Sequence, residues 1–281
     1  MVEVAVKDWF EVIENMENKD YRDYPAISKS DLDRIRKSIA HWQAPSQPPT
    51  ADMVEGSAAH CIVLETDKFH KDYVRSPKFN RRTKEGKLEA EAFELRNKGR
   101  TPLNEDQYYR LESIYNAVYS HPTASKLFEN GRAEVSYFWE QDVYVEGQFH
   151  KVTCKARTDF VTAENNVLVD LKTTRDASPE SFAKSVAQYR YHVQAAWYRE
   201  GWYRIHGEYP AFVFVCVEKT PPYEVAIYTL DEGSLAEGWL QAKSDLAKYA
   251  FWKATPELER VDGYPIEITE LSLPRWAFKE N

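Results

Sequence analysis

The sequence predicts a mixed α/β fold whose centre is a largely antiparallel sheet flanked by helices. Three observations lead there. Alternating apolar and polar residues are concentrated in the middle of the chain, between Glu134 and Thr173. Segments with apolar residues at helical spacing lie before and after that block. Finally, Ala211 to Val217 is an unbroken apolar run, suited to a buried strand and far short of the roughly 20 residues of a membrane helix. Helices, then strands, then helix–strand–strand–helix is the order of a layered α/β domain. No interdomain linker is visible, so residues 1–281 read as one domain: a helical N-terminal region over 1–54 and a core over 55–281.

Composition supports this. Hydrophobic residues make up 43% and aromatics 14% of 281 residues, enough for a substantial core. With 10 glycines and no repeat period, collagen-like and low-complexity chains are excluded. The N-terminus mixes acids with apolar residues and carries no signal-peptide core. A soluble, intracellular protein without a membrane partner is expected. Cys61, Cys154 and Cys216 stand singly in apolar stretches and read as buried free thiols.

In order along the chain, residues 1–17 read as a short amphipathic helix. A second helix opens at Ser28-Lys29-Ser30-Asp31, with Leu32, Ile35, Ile39 and Trp42 on one face. Pro45, Pro48 and Pro49 make 44–52 a loop. Gly56 to Glu65 reads as a buried helix carrying His60, 70–87 as a loop, and 88–98 and 104–119 as helices. Strands are expected at 134–140, 144–150, 151–161 and 167–173, with a turn over 162–166. A long helix runs from Pro179 to about Arg204. Strands follow at 211–217 and 224–230, then a helix over 235–252 with Leu235, Trp239, Ala242, Leu246 and Tyr249 on one face, and a tail.

The net charge of −8 argues against nucleic acid as a partner, but its distribution does not. Arg75 to Lys87 holds six basic residues, Arg81, Arg82 and Lys84 among them, against one acid. Such a segment is either a solvated loop or a phosphate-contacting one.

The chemistry points to the hairpin around 159–172. Asp170 and Lys172 are two apart on a strand and share a face. Pairing around the 162–166 turn sets Asp159 near Asp170. Two carboxylates beside a lysine suit a hard cation such as magnesium or manganese, and a cation beside a phosphodiester suits hydrolysis of a phosphate ester. His60 is either a satisfied core histidine or a member of the metal shell. Gln194 and Tyr198, at i and i+4, share a helix face, although a rim position explains Gln194 equally well. Ser28 with Asp31 has capping spacing; the alternative is that Ser28, Lys29 and Ser30 bind phosphate at the helix start.

The ordered set Gly56-Ser-Ala-Ala-His60, Asp159, Asp170-Leu-Lys172-Thr-Thr and Gln194-x-x-x-Tyr198 resembles the PD-(D/E)XK nucleases of the RecB type. Within them it is most similar to the RecE, or exonuclease VIII, branch of phages and prophages. Ile27-Ser-Lys-Ser-Asp-Leu and Leu273-Pro-Arg-Trp-Ala add to the likeness, which spans about 25–277. The resemblance implies a restriction-endonuclease-like core and Mg²⁺-dependent 5′→3′ digestion of linear duplex DNA that leaves 3′ single strands, with Mn²⁺ able to substitute. It implies a homo-oligomeric ring, trimer or tetramer, a RecT-like single-strand annealing partner, and the cytoplasm of a bacterial host. By the same resemblance His60, Asp159, Asp170 and the Leu171 carbonyl hold metal and Lys172 positions water; Glu134, at a strand start where related nucleases often carry an acid, is either close to the metal or an ordinary exposed strand glutamate. Gln194 and Tyr198 support the site or touch DNA. Rival readings are another nuclease of this fold, acting on internal, single-stranded or flap sites, and a non-catalytic DNA-binding assembly protein.

Overall fold

The computed structural model describes residues 9–45, 47–163, 167–274 and 277–278. Chain reversal at Glu146-Gly147 (φ +49° and +84°) folds β4 (Gly131–Val145) onto β5 (Gln148–Thr162), and this long antiparallel ribbon is the spine of the sheet. Both turn residues need positive φ, which is why the turn falls here and not near 141–143. The two strands expected at 134–140 and 144–150 are therefore one strand and the hairpin turn, and β5 is a single strand.

β6 (Val167–Thr174) pairs with β5 only through Phe160 with Val169 and Val161 with Leu168. It then runs parallel to β7 (Ala211–Glu218), which is antiparallel to β8 (Val225–Tyr228). The other edge is β1 (Phe10–Ile13), antiparallel to β4. The six-stranded order is β1-β4-β5-β6-β7-β8, mostly antiparallel, as the sequence predicts. β1 corrects the helix expected over 1–17: isolated helices of that length are marginal, whereas an open sheet edge satisfies the backbone at once. Residues 1–8 of that expected helix lie outside the described residues, as do 164–166 of the turn and Arg275 and Trp276 of the tail motif.

Helices cover both faces. Over one lie α2 (Lys29–Lys37), α3 (Ile39–Gln43), α9 (Pro179–Gln188), α10 (Tyr191–His206) and α11 (Glu232–Ala254), packed on Tyr137, Trp139, Cys154 and Phe214. Over the other lie α4 (Ala51–Leu64), α5 (Thr66–Asp72), α7 (Glu105–Ser120) and α8 (Pro122–Glu129), packed on Phe160, Val169, Leu171 and Val215. Alternation along β6 sends Leu168 to the first core and Val169 and Leu171 to the second. A short α1 (Asn18–Asp23) precedes the first layer. A parallel pair, β2 (Tyr73–Arg75) and β3 (Thr101–Leu103), with α6 (Lys84–Arg96), borders the second. Structure thus enters the segment read as a loop over 70–87 from both sides. Among the described residues no helix is long and apolar enough to cross a membrane. Cys154 and Cys216 are buried thiols as expected, while Cys61 is half-buried.

Two expected helices are divided. Ser38 adopts extended backbone between α2 and α3, and its hydroxyl caps α3 through the His41 N–H. The helix expected from Pro179 to Arg204 breaks at Arg190, which is left-handed at φ +56°. There the guanidinium enters the interior and binds Asp245 Oδ2 at 2.5 Å, Asp33 Oδ1 at 2.8 Å and Gln241 Oε1 at 3.2 Å. This ties α2, α10 and α11 together with the Arg190 and Asp245 side chains only 6% and 4% exposed. α4 starts at Ala51, inside the expected loop, because the Thr50 hydroxyl accepts from the Met53 N–H.

Removing one member of such a buried pair strands the other. Arg190→Ala is expected to cost about 3–5 kcal/mol of stability. Urea unfolding checks this, and joint replacement by Arg190→Met and Asp245→Leu should recover most of the loss.

Candidate active site and metal centre

The site forms where β5 and β6 separate. Beyond Phe160 and Val169 the two strands no longer pair, leaving the Leu171 N–H without a strand acceptor. The Asp159 carboxylate takes its place: Oδ2 accepts from the Leu171 N–H at 2.8 Å. The same oxygen lies 3.3 Å from His60 Nδ1, carried on α4. Leu171 thus meets the site carboxylate through its amide.

Glu134 reaches this pair from β4. Ala133 pairs with Phe160 and Val135 with Thr158, but Glu134 between them leaves the ladder at φ +52°. This conformation is costly for a residue with a Cβ and places Glu134 opposite Asp159. His60, Glu134 and Asp159 each offer a ligand atom, all within 4.8 Å of one another. Burial first, and the Asp159 charge second, push the Glu134 carboxyl up to about 8, despite the opposing Arg157 guanidinium, whose Nε is 3.8 Å away. Two carboxylates and an imidazole fit a divalent cation, and the crowding of unneutralised acids fits it too.

Asp170 stands apart from that group. Its carboxylate is 1% exposed; Oδ1 lies 2.5 Å from Lys172 Nζ and Oδ2 accepts from Gln194 Nε2. Oδ1 faces the ammonium alone, with no second donor among the described residues. Burial raises the Asp170 carboxyl to about 6, with Lys172 opposing. Gln194 also accepts from Lys172 Nζ through Oε1 at 3.0 Å and so clamps both ends of the D-x-K pair. Burial pulls the Lys172 ammonium down, but Asp170, Asp159 and Tyr191 outweigh it and hold it above its ordinary value. Lys172 is therefore a fixed cation and donor rather than a proton acceptor. Its ammonium lies 4.5 Å from the Tyr191 ring centroid. Tyr198, one turn past Gln194, packs its ring beside Tyr137 and Phe212, and its carbonyl accepts from the Tyr137 hydroxyl.

Sequence reasoning missed Arg157 and Tyr191. Arg157 lies two residues before Asp159 on one strand, and Tyr191 three before Gln194 on one helix, so periodicity could have found both. A cavity of about 540 Å³ opens from this side, lined by Gly56, Ser57, His60, Lys68, Glu134 and Arg157.

The remaining candidates are dispersed. Ser28 is buried and forms a full capping box: Oγ accepts from the Asp31 N–H, and Asp31 accepts from the Ser28 N–H at 2.8 Å. Ser30 lies 2.9 Å from the Ser28 hydroxyl. Lys29 bonds the Tyr189 carbonyl at 2.9 Å and Asp33 at 2.7 Å. Arg81 is exposed and paired with Glu94 at 2.7 Å. Arg82 is exposed, and Lys84 opens α6. Among the described residues, no hydrogen bond or ion pair joins these three to the acids above.

A family match decides the lineage of this arrangement: residues 23–257 match the PDDEXK-like domain of unknown function (DUF3799). The chain belongs to this PDDEXK-like family. No curated protein matches it. Its fold is similar to that of a candidate exonuclease from Eubacterium rectale, with a TM-score of 0.57 and 14% identity over 91% of this chain and 97% of that one. A phage-related exonuclease from Haemophilus somnus aligns with a TM-score of 0.27 and 12% identity over 78% of this chain and 92% of that one. The mixed, mostly antiparallel sheet of this PDDEXK-like chain matches the restriction-endonuclease-like expectation, with Asp170 and Lys172 two apart on β6.

The raised carboxyls make stability depend on pH with a definite sign. An acid that holds its proton more tightly when folded favours the folded state at low pH, and that advantage falls as pH rises toward the folded value. Asp170 completes its change by about 6, leaving Glu134, about 8 against an ordinary 4.5, to dominate above it. Metal-free protein should therefore lose Tm between pH 6 and 8, and Glu134→Gln should flatten that slope. Added Mn²⁺ should raise Tm more at pH 8 than at pH 6. Thermal melts across this range check all three.

Proposed function

We propose that this chain is a metal-dependent deoxyribonuclease that digests linear duplex DNA from 5′ ends and leaves 3′ single strands. The observation that carries the reading is the convergence of His60, Glu134 and Asp159 within 4.8 Å, next to the Asp170–Lys172–Gln194 clamp. His60, Glu134 and Asp159 would hold a divalent cation, Mg²⁺ with Mn²⁺ as a substitute. Asp170 would join them by releasing one oxygen from its present partners, and the Leu171 carbonyl completes the expected ligand set. Such a cation supplies Lewis acidity to a phosphoryl oxygen and lowers the pKa of nearby water. Lys172, kept charged, orients the attacking water and offsets charge developing on the phosphate. Gln194 fixes the Lys172 ammonium and so sets where that water sits. Arg157, beside the acids, offers a cation to the strand in the cavity. The water oxygen would attack phosphorus in line and pass its proton to solvent, the opposite P–O bond would break, and the leaving oxygen would take a proton from solvent as a mononucleotide or short product departs.

Duplex ends, a ring of three or four copies and a RecT-like annealing partner in a bacterial cytoplasm belong to the same reading, on the resemblance of the ordered motifs. Arg81, Arg82 and Lys84 belong to it as a phosphate-contacting loop. The same core could serve an endonuclease or a flap nuclease. Comparing linear, circular and single-stranded DNA with Mg²⁺ or EDTA separates these activities, and absence of any cleavage would leave a DNA-binding assembly protein.

Asp159→Asn, Asp170→Asn and Lys172→Ala are each expected to lower the cleavage rate at least about a hundredfold, with the protein still folded. His60→Ala should be partly rescued by raised Mn²⁺; a core histidine would show lower Tm and no rescue. For the start of α2, the capping box predicts that Ser28→Ala costs about 1 kcal/mol of stability. A phosphate site there predicts that Lys29→Ala erases any preference for 5′-phosphorylated ends, which initial rates on the two end types decide.

A further inference from the structure

A second cavity is lined by Tyr191, whose ring meets the Lys172 ammonium. It measures about 430 Å³ and opens at the carboxyl ends of β6 and β7, the one parallel strand pair of the main sheet among the described residues. In open sheets that end is where ligands gather, because no strand continues to fill the crevice. Arg175 follows β6 and Lys219 follows β7, and the Lys219 N–H donates to the Thr174 carbonyl at 2.9 Å, so the two cations leave adjacent strand ends together. Neither side chain has an acid partner among the described residues. The nearby acids are otherwise placed: Glu218 accepts from the Ala177 N–H at 3.0 Å, Asp176 accepts from the Ser178 N–H at 2.8 Å, and Asp52, on α4, is exposed.

The cavity is tied to the candidate active site by contacts. Tyr191, which lines it, holds the Lys172 ammonium against its ring. The α4 helix runs along both openings, with Asp52 in this cavity and Gly56, Ser57 and His60 in the larger one. Tyr189 lines the cavity with its side chain about half exposed, and its ring centroid lies 5.6 Å from that of Tyr191. Two unpaired cations beside an exposed aromatic ring have the composition of a site for a phosphate with its base stacked alongside.

We infer that this cavity binds the nucleotide adjoining the cleaved one, with Arg175 and Lys219 on its phosphate and Tyr189 against its base. The strand then runs from this cavity over Lys172 into the one lined by His60 and Glu134. The inference rests on the nuclease reading for the meaning of "cleaved", but its test does not require cleavage.

The experiment measures binding of a fluorescein-labelled single-stranded oligonucleotide in EDTA, by anisotropy across a salt series, for wild type and for Arg175→Ala with Lys219→Ala. Both residues lie on the surface, and a melt confirms that the variant folds. Loss of two phosphate contacts should lower the slope of log affinity against log salt by about 1.4. Tyr189→Ala should weaken binding at least about 5-fold, while Tyr189→Phe should not. A scan of single uncharged methylphosphonates should find one linkage whose loss weakens wild type but not the double variant, which marks a local contact and not general loss of charge. An unchanged slope and no such linkage overturn the inference; if wild type still cleaves DNA, the nuclease reading stands without it. A lowered slope in a protein that never cleaves supports the subsite and removes the nuclease reading. No binding by wild type overturns the inference and leaves the nuclease reading to its own test on linear duplex DNA with Mg²⁺.

Discussion

A carboxylate almost sealed from solvent at Asp170 is the constraint on which the rest of the molecule depends. Burying a charge is costly unless it is paired and hydrogen-bonded. Here Lys172 supplies the charge and Gln194 the hydrogen bond. Lys172 comes at no extra topological cost, two residues along the same strand. Gln194 comes from α10, so the Asp170 environment exists only if that helix is held over the sheet at one height. Arg190 holds it, by leaving the helical path at the start of α10 and binding Asp33 on α2 and Asp245 on α11. A buried ion pair in one layer thereby sets the electrostatics of a carboxylate on the sheet. Such pairs add little net stability, yet losing one partner leaves the other as an uncompensated buried charge.

The opposite wall is built on a different principle. Asp159 replaces a missing strand acceptor, which fixes its carboxylate by the backbone of β6. Glu134 is fixed by a conformation that its own strand would not choose, since the ladder continues on either side of it. Both devices place acids close together against their repulsion, and the raised Glu134 carboxyl expresses the cost. One wall is thus neutralised internally by a lysine, while the other is left acidic. A divalent cation would complete the second wall and compete with Lys172 for Asp170 on the first.

Much of this was legible in the sequence because it follows from period-2 geometry. Asp170 and Lys172 share a face, and the hairpin brings Asp159 to the same level, whatever the details of the turn. The ordered motifs added His60 and Gln194, which lie 99 and 24 residues from their partners Asp159 and Asp170. What escaped was conformational. The left-handed residues Glu134, Glu146 and Arg190 are ordinary side chains in conformations that tertiary contacts impose, so the break between α9 and α10 and the continuous β4 carried no local signal. The edge strand β1 escaped because its partner is more than a hundred residues away. Arg157 was visible by spacing but looked like any strand cation until Glu134 was placed beside it.

The contact of Lys172 with Tyr191, which lines the second cavity, adds a second constraint to the electrostatic one. Its ammonium is held by Asp170 and Gln194 on one side and lies over the Tyr191 ring on the other. A cation so held cannot follow a mobile group; on the proposed function the phosphate would have to be brought to it. Fixed charge is useful in catalysis when the reacting group is positioned with equal care, because reorganisation is then complete before reaction. A chain with an acidic surface overall has few places to grip a polyanion. On the proposed reading, cations without acid partners, such as Arg175 and Lys219, would position the strand more than the exposed and partly paired cations of the 75–87 segment. Local placement of charge, rather than its total, decides which surface of this acidic protein a phosphodiester can approach.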